Sequence, residues 1–542
     1  MQLTSIIANQ DVQGPNTIVS TNPATGAVIA EVSALDEEGA KRAAAAAQHA
    51  FSGWAATPLA ERQRLLGRWL EIMVGEAGEL ADLVAREGGK PVAEARLVDV
   101  FPGCEVLAYL ARRLPALLAF KPVKPRVVLF SHWRAGYRFD PLGVIVVVAP
   151  WNYPVAIPMN GIAAAVAAGN TVVFKPASAT VLIGLALGDM ARRAGFPPGV
   201  INAVALPGRA TDALVDHPAV AKVLFTGSVG VGKRVAQRLA ARLIPAQLEL
   251  GGKDPAIVAF DADLERTARG LVWGAFMNTG QTCASIERAY VERSVFPELL
   301  DRVVELTRKL RVGDPFDPHT DVGPMTTGEQ RDEVHRQVQE ALAAGARALA
   351  GGVLPDGPGL FYPPTVLVDV REEMSVMQEE TFGPVLPMVP VDSIDEAISR
   401  ANASRFGLCA SGWTRSRAIA RRLQRELEAG VVMINESVVA FGESTATWGG
   451  VKESGIGRTH GPYGLLEMCN IKYVAADFGR DRAMPWYYPY DADFGRFIAA
   501  AIPALYGRGA RKVAALARLA ATRRFMGRVR KSTVLANPHR LR

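Results

Sequence analysis

The chain predicts an α/β fold built on parallel sheets, and three observations carry that prediction. Short, apolar, largely β-branched runs at Val144–Val148, Thr171–Phe174 and Lys222–Thr226 are each followed by a turn and a helical stretch. Strands alternating with helices in this way form a parallel sheet with crossover helices. A second β/α series follows Pro255, and 542 residues exceed what one hydrophobic core supports, so two or three domains are expected.

Taken in order, the region between Asp36 and Leu110 repeats its apolar residues at helical spacing, as in Arg62–Leu70, with alanine runs such as Ala43–Ala47. Segment Phe120–Tyr137, containing Val123 and the Val127-Val128-Leu129 run, lies outside both series. The first β/α series begins at Gly143. In the second, a helix near Glu329–Ala350 is expected to stop at Gly351-Gly352. Beyond Val474 come Trp486-Tyr487-Tyr488-Pro489-Tyr490, an apolar stretch Phe497–Tyr506, and a basic run to Arg542.

Hydrophobic residues at 49% and charged ones at 21% describe an ordinary globular protein. Cys104, Cys283, Cys409 and Cys469 lack C-x-x-C spacing and read as free thiols in a reducing compartment, with no metal site. No secretory signal and no apolar run of membrane-spanning length is evident, so a cytoplasmic location is expected. The net charge of +7 is unevenly placed: Tyr506–Arg542 holds eleven Lys or Arg and no Asp or Glu, leaving 7 − 11 = −4 for the rest. A basic appendage on a mildly acidic body argues against nucleic-acid binding by the core.

Two segments carry chemistry. Cys283 stands in Gly280-Gln281-Thr282-Cys283, and Glu249 lies 34 positions earlier in Leu248-Glu249-Leu250-Gly251-Gly252-Lys253. A thiol and a carboxylate are the parts needed to oxidise an aldehyde through a thioester: the thiolate attacks, hydride leaves, and the carboxylate activates the water that releases an acid. A lone cysteine is more often a small buried hydrophobe, but the glycine and polar residues at Asn278–Gln281 argue against a packed core here. Glu249 among leucines has few local partners, and burial would raise its pKa towards neutrality. Asn152, in Pro150-Trp151-Asn152-Tyr153-Pro154, follows the Val144–Ala149 strand, where an amide is placed to donate to a developing oxyanion. Phe225-Thr226-Gly227-Ser228-Val229-Gly230-Val231-Gly232 follows a strand and opens a helix, so its N–H groups can receive a pyrophosphate. It is no Walker sequence, because Lys233 is not followed by Ser or Thr.

Together these segments resemble the aldehyde dehydrogenase superfamily, from about residue 20 to about residue 475. The resemblance implies a Rossmann-type dinucleotide-binding domain (1–122 and 142–249), an α/β catalytic domain (250–450), a β oligomerisation arm (123–141 and 469–478) and a C-terminal extension (479–542). It makes Cys283 the nucleophile, whose own N–H is one oxyanion donor; Asn152 is the second donor and Glu249 the base for deacylation. It assigns Lys175 to the adenosine ribose and Gly227-Ser228 to the phosphate turn, with Pro150, Trp151, Gly232 and Leu250 also against the cofactor. Glu380 and Phe382, in Glu379-Glu380-Thr381-Phe382-Gly383-Pro384, hold the nicotinamide ribose and ring, and Tyr153 and Trp448 wall the substrate tunnel. Assembly as a homodimer or homotetramer is implied.

Departures from the pattern matter as much. Three residues after Lys175, where NAD-specific members carry glutamate, this chain has Ser178, which removes repulsion against a 2′-phosphate and admits NADP beside NAD. A lysine common after the oxyanion asparagine is replaced in the Asn160-Gly161 region, so its proton path must differ. The loop Phe441–Trp448 lacks the usual proline-phenylalanine, which makes substrate preference the least transferable property. The segment Gly455–Pro462, with Ser285-Ile286-Glu287-Arg288, is similar to a bacterial succinate-semialdehyde dehydrogenase-like subgroup, although no arginine stands out for a substrate carboxylate. Arg288 reads as a loop buttress and His460 as structural.

The expected activity is NAD(P)-dependent oxidation of an aldehyde to its acid. Two alternatives stay open. A coenzyme A-acylating enzyme is disfavoured by Glu249, and a silent binding protein by the survival of Cys283, Glu249 and Asn152 together. For the tail, a solvated basic segment stands against a peripheral anchor to anionic lipid: Val513, Leu516 and Ala520 share a helical face, while Arg524 interrupts it.

Overall fold

A computed structural model describes residues 4–127, 130–478, 486–488 and 490–521. In it, Ala246–Glu249, Val220–Thr226, Val144–Val148, Thr171–Lys175 and Ile201–Ala203 lie side by side in that order, all parallel. The chain builds outward from Val144–Val148 to Ile201–Ala203, then returns to the opposite side with Val220–Thr226. That reversal opens a crevice between the carboxyl ends of Val144–Val148 and Val220–Thr226, where open α/β sheets bind their ligands. Antiparallel strands extend both edges: Gly455–Ile456 beside Ala246–Glu249, and Ser5–Ile7 with Gln10–Val12 beyond Ile201–Ala203. Val144–Val148 is buried on both faces, as its unbroken Val/Ile run requires. Helix Glu37–Ala55 starts at Asp36, whose side chain accepts from Gly39 N at 2.9 Å, and lays Ala40, Ala43, Ala44 and Ala47 on this sheet's core.

The second sheet runs Arg347–Ala350, Thr365–Val368, Val385–Val391, Ile286–Glu292, Asp254–Val258, Cys409–Trp413, Val431–Ile434, parallel except for the first strand. The helix expected over Glu329–Ala350 is shorter than its pattern: it spans Gly328–Ala343, and Arg347–Ala350 is a strand. Gly345, at φ +100°, breaks the helix, and pairing with Thr365–Val368 outweighs the helix propensity of the alanines that follow.

Both sheets belong to one compact unit, residues 1–117 and 140–470. A second unit takes residues 118–139 and 471–542. Its described part holds a three-stranded sheet, ordered Cys469–Ala476, Arg134–Pro141, Lys121–Val123, with a Tyr137–Tyr473 edge contact at 5.7 Å. Helices Ala492–Tyr506 and Gly509–Ala521 pack on one another through Phe497, Ala501 and Leu519. The face formed by Val513, Leu516 and Ala520 is exposed, and Ala515 is buried. Val128-Leu129, residues 479–485 and the basic run 522–542, with Arg524, lie outside the described residues. Among those described, no helix is long and apolar enough to cross a membrane.

Candidate active site

Helix Leu264–Phe276 ends in a turn, Met277–Gly280, that delivers Cys283. Asn278, Thr279 and Gly280 are consecutive left-handed residues with φ of 53°, 55° and 70°. Such strain persists only where the surroundings fix it. Here Asn278 Nδ2 donates to Asn152 O and Gln281 O at 3.0 Å, and Asn278 N donates to Glu94 at 2.7 Å. Thr279 Oγ1 donates to Gly323 O at 3.0 Å, and Thr326 N donates to Gln281 Oε1 at 2.9 Å. A Cβ on Gly280 would stand 2.1 Å from Gly383 O, so the position admits only glycine.

Asn152 sits at the carboxyl end of Val144–Val148 and is buried. Its Nδ2 donates to Gln281 O at 3.0 Å, which uses one amide N–H and leaves a second. Its carbonyl accepts from Lys90 Nζ at 2.9 Å, and Lys90 is paired with Asp99 at 2.8 Å in a fully buried contact. Asp99 in turn accepts from the N–H groups of Val155 and Ala156. The Lys90–Asp99 pair thus fixes the Asn152 loop. Nothing in the sequence flagged it, since its partners lie more than fifty positions away.

Cys283 lies where three cavities meet. One, of about 480 Å3, is the tunnel expected for substrate: Tyr153 and Trp448 line it, together with Phe441, Trp273 and Met277. Tyr153 OH and Thr282 Oγ1 are 2.6 Å apart, so the tyrosine presents its ring. The second is the crevice at the strand-order reversal, about 220 Å3, lined by Pro150, Trp151, Asn152, Gly227, Ser228, Leu250, Glu380 and Phe382 as well as Cys283 and Glu249. The third, about 40 Å3, contains Glu249, Asn160, Gln247 and His460.

Glu249 ends strand Ala246–Glu249, held between Val220–Thr226 and Gly455–Ile456. Neither carboxyl oxygen has a hydrogen-bond partner. Burial pushes its pKa up to about 8, and Arg458 pulls it down only in part. Gly449, at φ +145°, comes close: a Cβ there would be 3.2 Å from Glu249 Oε1. Burial, and then the carboxyls of Asp254, Glu380 and Glu249, push the Cys283 thiol well above its ordinary range, so the resting thiol keeps its proton.

The crevice suits a dinucleotide. Helix Val229–Ala240 opens at Ser228, which makes no side-chain cap, so the first-turn N–H groups remain available to an anion. Gly232 acts by packing: a Cβ there would meet Leu250 at 2.5 Å. Trp151 and Phe382 meet edge to face at 5.5 Å. Gly252 N donates to Glu380 at 3.1 Å, and burial raises that carboxyl to about 8. Phe382, itself at φ +49°, is clamped by Glu287, whose carboxylate accepts from Thr381 N and Phe382 N and pairs with Lys253 at 2.6 Å. Glu287 thereby ties strand Ile286–Glu292, which follows Cys283, to the Glu379–Pro384 loop. The sequence presented it only as part of a motif. Arg288 donates to Lys253 O at 3.0 Å and does buttress the loop. Lys175 and Ser178 lie one strand over, at the end of Thr171–Lys175 and in the turn Ser178–Thr180, outside the lining of this crevice. Burial lowers the Lys175 ammonium to about 8.

Residues 10–474 match the aldehyde dehydrogenase family. The chain is 38% identical over 458 residues to succinate-semialdehyde dehydrogenase [NADP(+)] 1 of Mycobacterium tuberculosis, covering 84% of this chain and 99% of that one. A crystal structure of an E. coli NADP dependent enzyme matches with a TM-score of 0.85 at 32% identity, over 88% of this chain and 98% of the other. The NAD+ complex of aldehyde dehydrogenase from Bacillus cereus matches at 0.85 and 33%, over 88% and 97%. The chain belongs to the aldehyde dehydrogenase family. It is an NAD(P)-dependent oxidoreductase acting on aldehydes.

Proposed function

We propose that the enzyme oxidises its aldehyde to the free acid through a thioester on Cys283. The observation that carries this is the position of Cys283 at the junction of an apolar tunnel, the crevice at the strand-order reversal and the Glu249 chamber. The Cys283 thiol releases its proton to solvent as sulfur adds to the carbonyl carbon. The second Asn152 N–H and the Cys283 N–H stabilise the oxyanion, in a loop already fixed by Lys90 and Asn278. Bound in the crevice, NAD(P)+ supplies the hydride acceptor and a positive charge that offsets the surrounding carboxylates. Phe382, Glu380, Trp151, Gly227 and Ser228 would hold it. Glu249, ionised, then deprotonates a water that attacks the thioester, and the leaving sulfur takes that proton back from Glu249. Cys283→Ala tests the assignment: aldehyde oxidation should vanish while dinucleotide binding persists, and substantial turnover would refute it.

Cofactor choice follows from Ser178, which leaves room for a 2′-phosphate, so NADP is used beside NAD. Assembly as a homodimer or homotetramer through the arm, residues 123–141 and 469–478, is supported by the exposed Tyr137, Ile471 and Tyr473. A cytoplasmic location is the reading supported by the enzyme's four free cysteines. Its extension contacts anionic membrane peripherally, a reading supported by exposed Ile502, Leu505, Val513 and Leu516 beside Arg508, Arg511 and Lys512.

A further inference from the structure

We propose that the aldehyde is uncharged and carries an apolar chain, so that succinate semialdehyde, named for the M. tuberculosis relative, is a poor substrate here. This rests on the aldehyde-oxidation reading above and names its substrate class. The tunnel to Cys283, about 480 Å3, has the size of clefts that enclose small organic ligands. Its deeper walls are Tyr153, Phe441 and Trp448, and its outer walls include Leu97, Phe101 and Val439, which are 60%, 59% and 46% exposed. Apolar surface left open around a concave site marks a place where apolar ligand is covered. Among the described residues that line the tunnel there is no lysine, arginine or histidine, and Glu443 is the one carboxylate. Hydrogen bonds from the Thr445 hydroxyl and N–H keep Glu443 ionised. A substrate carboxylate would lose water without meeting a cation, and would face Glu443. A hydrocarbon chain gains about fourfold in binding for each methylene buried.

The test is kcat/KM of the full-length enzyme for propanal, hexanal, octanal and succinate semialdehyde, each with NAD+ and NADP+. Hexanal should exceed propanal by about tenfold or more, and succinate semialdehyde should fall below both. Val439→Arg, which sets a cation at the mouth, should raise succinate semialdehyde relative to octanal by about tenfold, with the thermal midpoint confirming the fold. Succinate semialdehyde as the best wild-type substrate, or an unchanged ratio in the variant, overturns the substrate class while leaving the enzyme class standing. Turnover of no aldehyde with either cofactor overturns both.

Behind Glu249, the cavity of about 40 Å3 collects polar atoms that make no hydrogen bond within the protein: Asn160 Oδ1, Gln247 Oε1, His460 Nε2 and both oxygens of Glu249. Asn160, Gln247 and His460 are all more than nine-tenths buried. Unpaired buried polar groups are costly, and a polar cavity of this size holds about one to three waters. His460 is held there on a strained backbone, φ 57° and ψ 163°, with Nδ1 2.6 Å from Thr459 Oγ1 and its ring against Phe441. We infer that His460, Asn160 and Gln247 are positioning residues that hold buried water against the Glu249 carboxyl and orient it for thioester hydrolysis. His460 works here as a neutral dipole, because burial lowers its pKa to about 3. In His460→Phe the first-turnover burst of reduced cofactor should keep its amplitude while the steady-state rate falls about tenfold, and His460→Gln should recover part of it. Burst and steady state falling together, or neither changing, overturns the assignment. If His460→Phe does not fold, Gln247→Leu is put to the same measurement and judged by the same outcomes.

Discussion

Replacing Glu249 with glutamine removes a carboxyl whose pKa sits near the working range and whose oxygens make no hydrogen bond. Its carboxyl is raised from 4.5 to about 8, chiefly by burial. The protonated acid therefore dominates below pH 8, and the base appears only as pH rises. With a pKa of about 8, roughly 1% is ionised at pH 6, ~10% at pH 7 and about half at pH 8. A deacylation-limited kcat should thus climb about tenfold from pH 6 to 7, then about fivefold to pH 8, and level off above. In Glu249→Gln the steady-state rate should fall by about 100-fold or more and lose that slope, while the first-turnover burst survives. Stopped-flow absorbance of the reduced cofactor at several pH values reads both phases. A wild-type kcat flat between pH 6 and 8, or a variant with an unchanged steady-state rate, would refute the reasoning.

Gly280→Ala should abolish turnover and lower the thermal midpoint, because φ +70° and a Cβ 2.1 Å from Gly383 O displace the Cys283 loop; a fully active variant would show that the loop tolerates the shift. Ser178→Glu should move the ratio of kcat/KM from NADP towards NAD by about tenfold or more. A wild type that ignores NADP would mean that another group excludes the phosphate. Truncation after Tyr506 should leave turnover of a small aldehyde unchanged while anionic-liposome binding, measured by cosedimentation at low and high salt, is lost. Absence of liposome binding by the full-length protein at low salt would favour the solvated-tail reading.

Much of the first sheet was legible because buried parallel strands are apolar along most of their length, so Val144–Val148 and residues 172–174 stand out as unbroken apolar runs. Glycines at Gly227 and Gly280 mark turns by their chemistry alone. What the sequence hid depends on distant pairing. Arg347–Ala350 looked helical until its partner strand Thr365–Val368 was in place. The contacts around Cys283, Lys90 with the carbonyl of Asn152 and Glu287 with the backbone of Thr381 and Phe382, join segments up to 95 positions apart. His460 read as structural because its neighbours in the chain are glycine, proline and threonine; only the fold brings it beside Asn160, Gln247 and Glu249.

The proposed mechanism turns on a covalent thioester on Cys283 that Glu249 clears by hydrolysis. Intact-mass and peptide mass spectrometry of Glu249→Gln, quenched in acid after mixing with hexanal and NADP+, tests it directly. A hexanoyl adduct is expected that maps to Cys283, builds up within the burst phase and disappears in Cys283→Ala. Steady turnover with no adduct in the Glu249 variant, or an adduct on Cys409 that persists in Cys283→Ala, would contradict it.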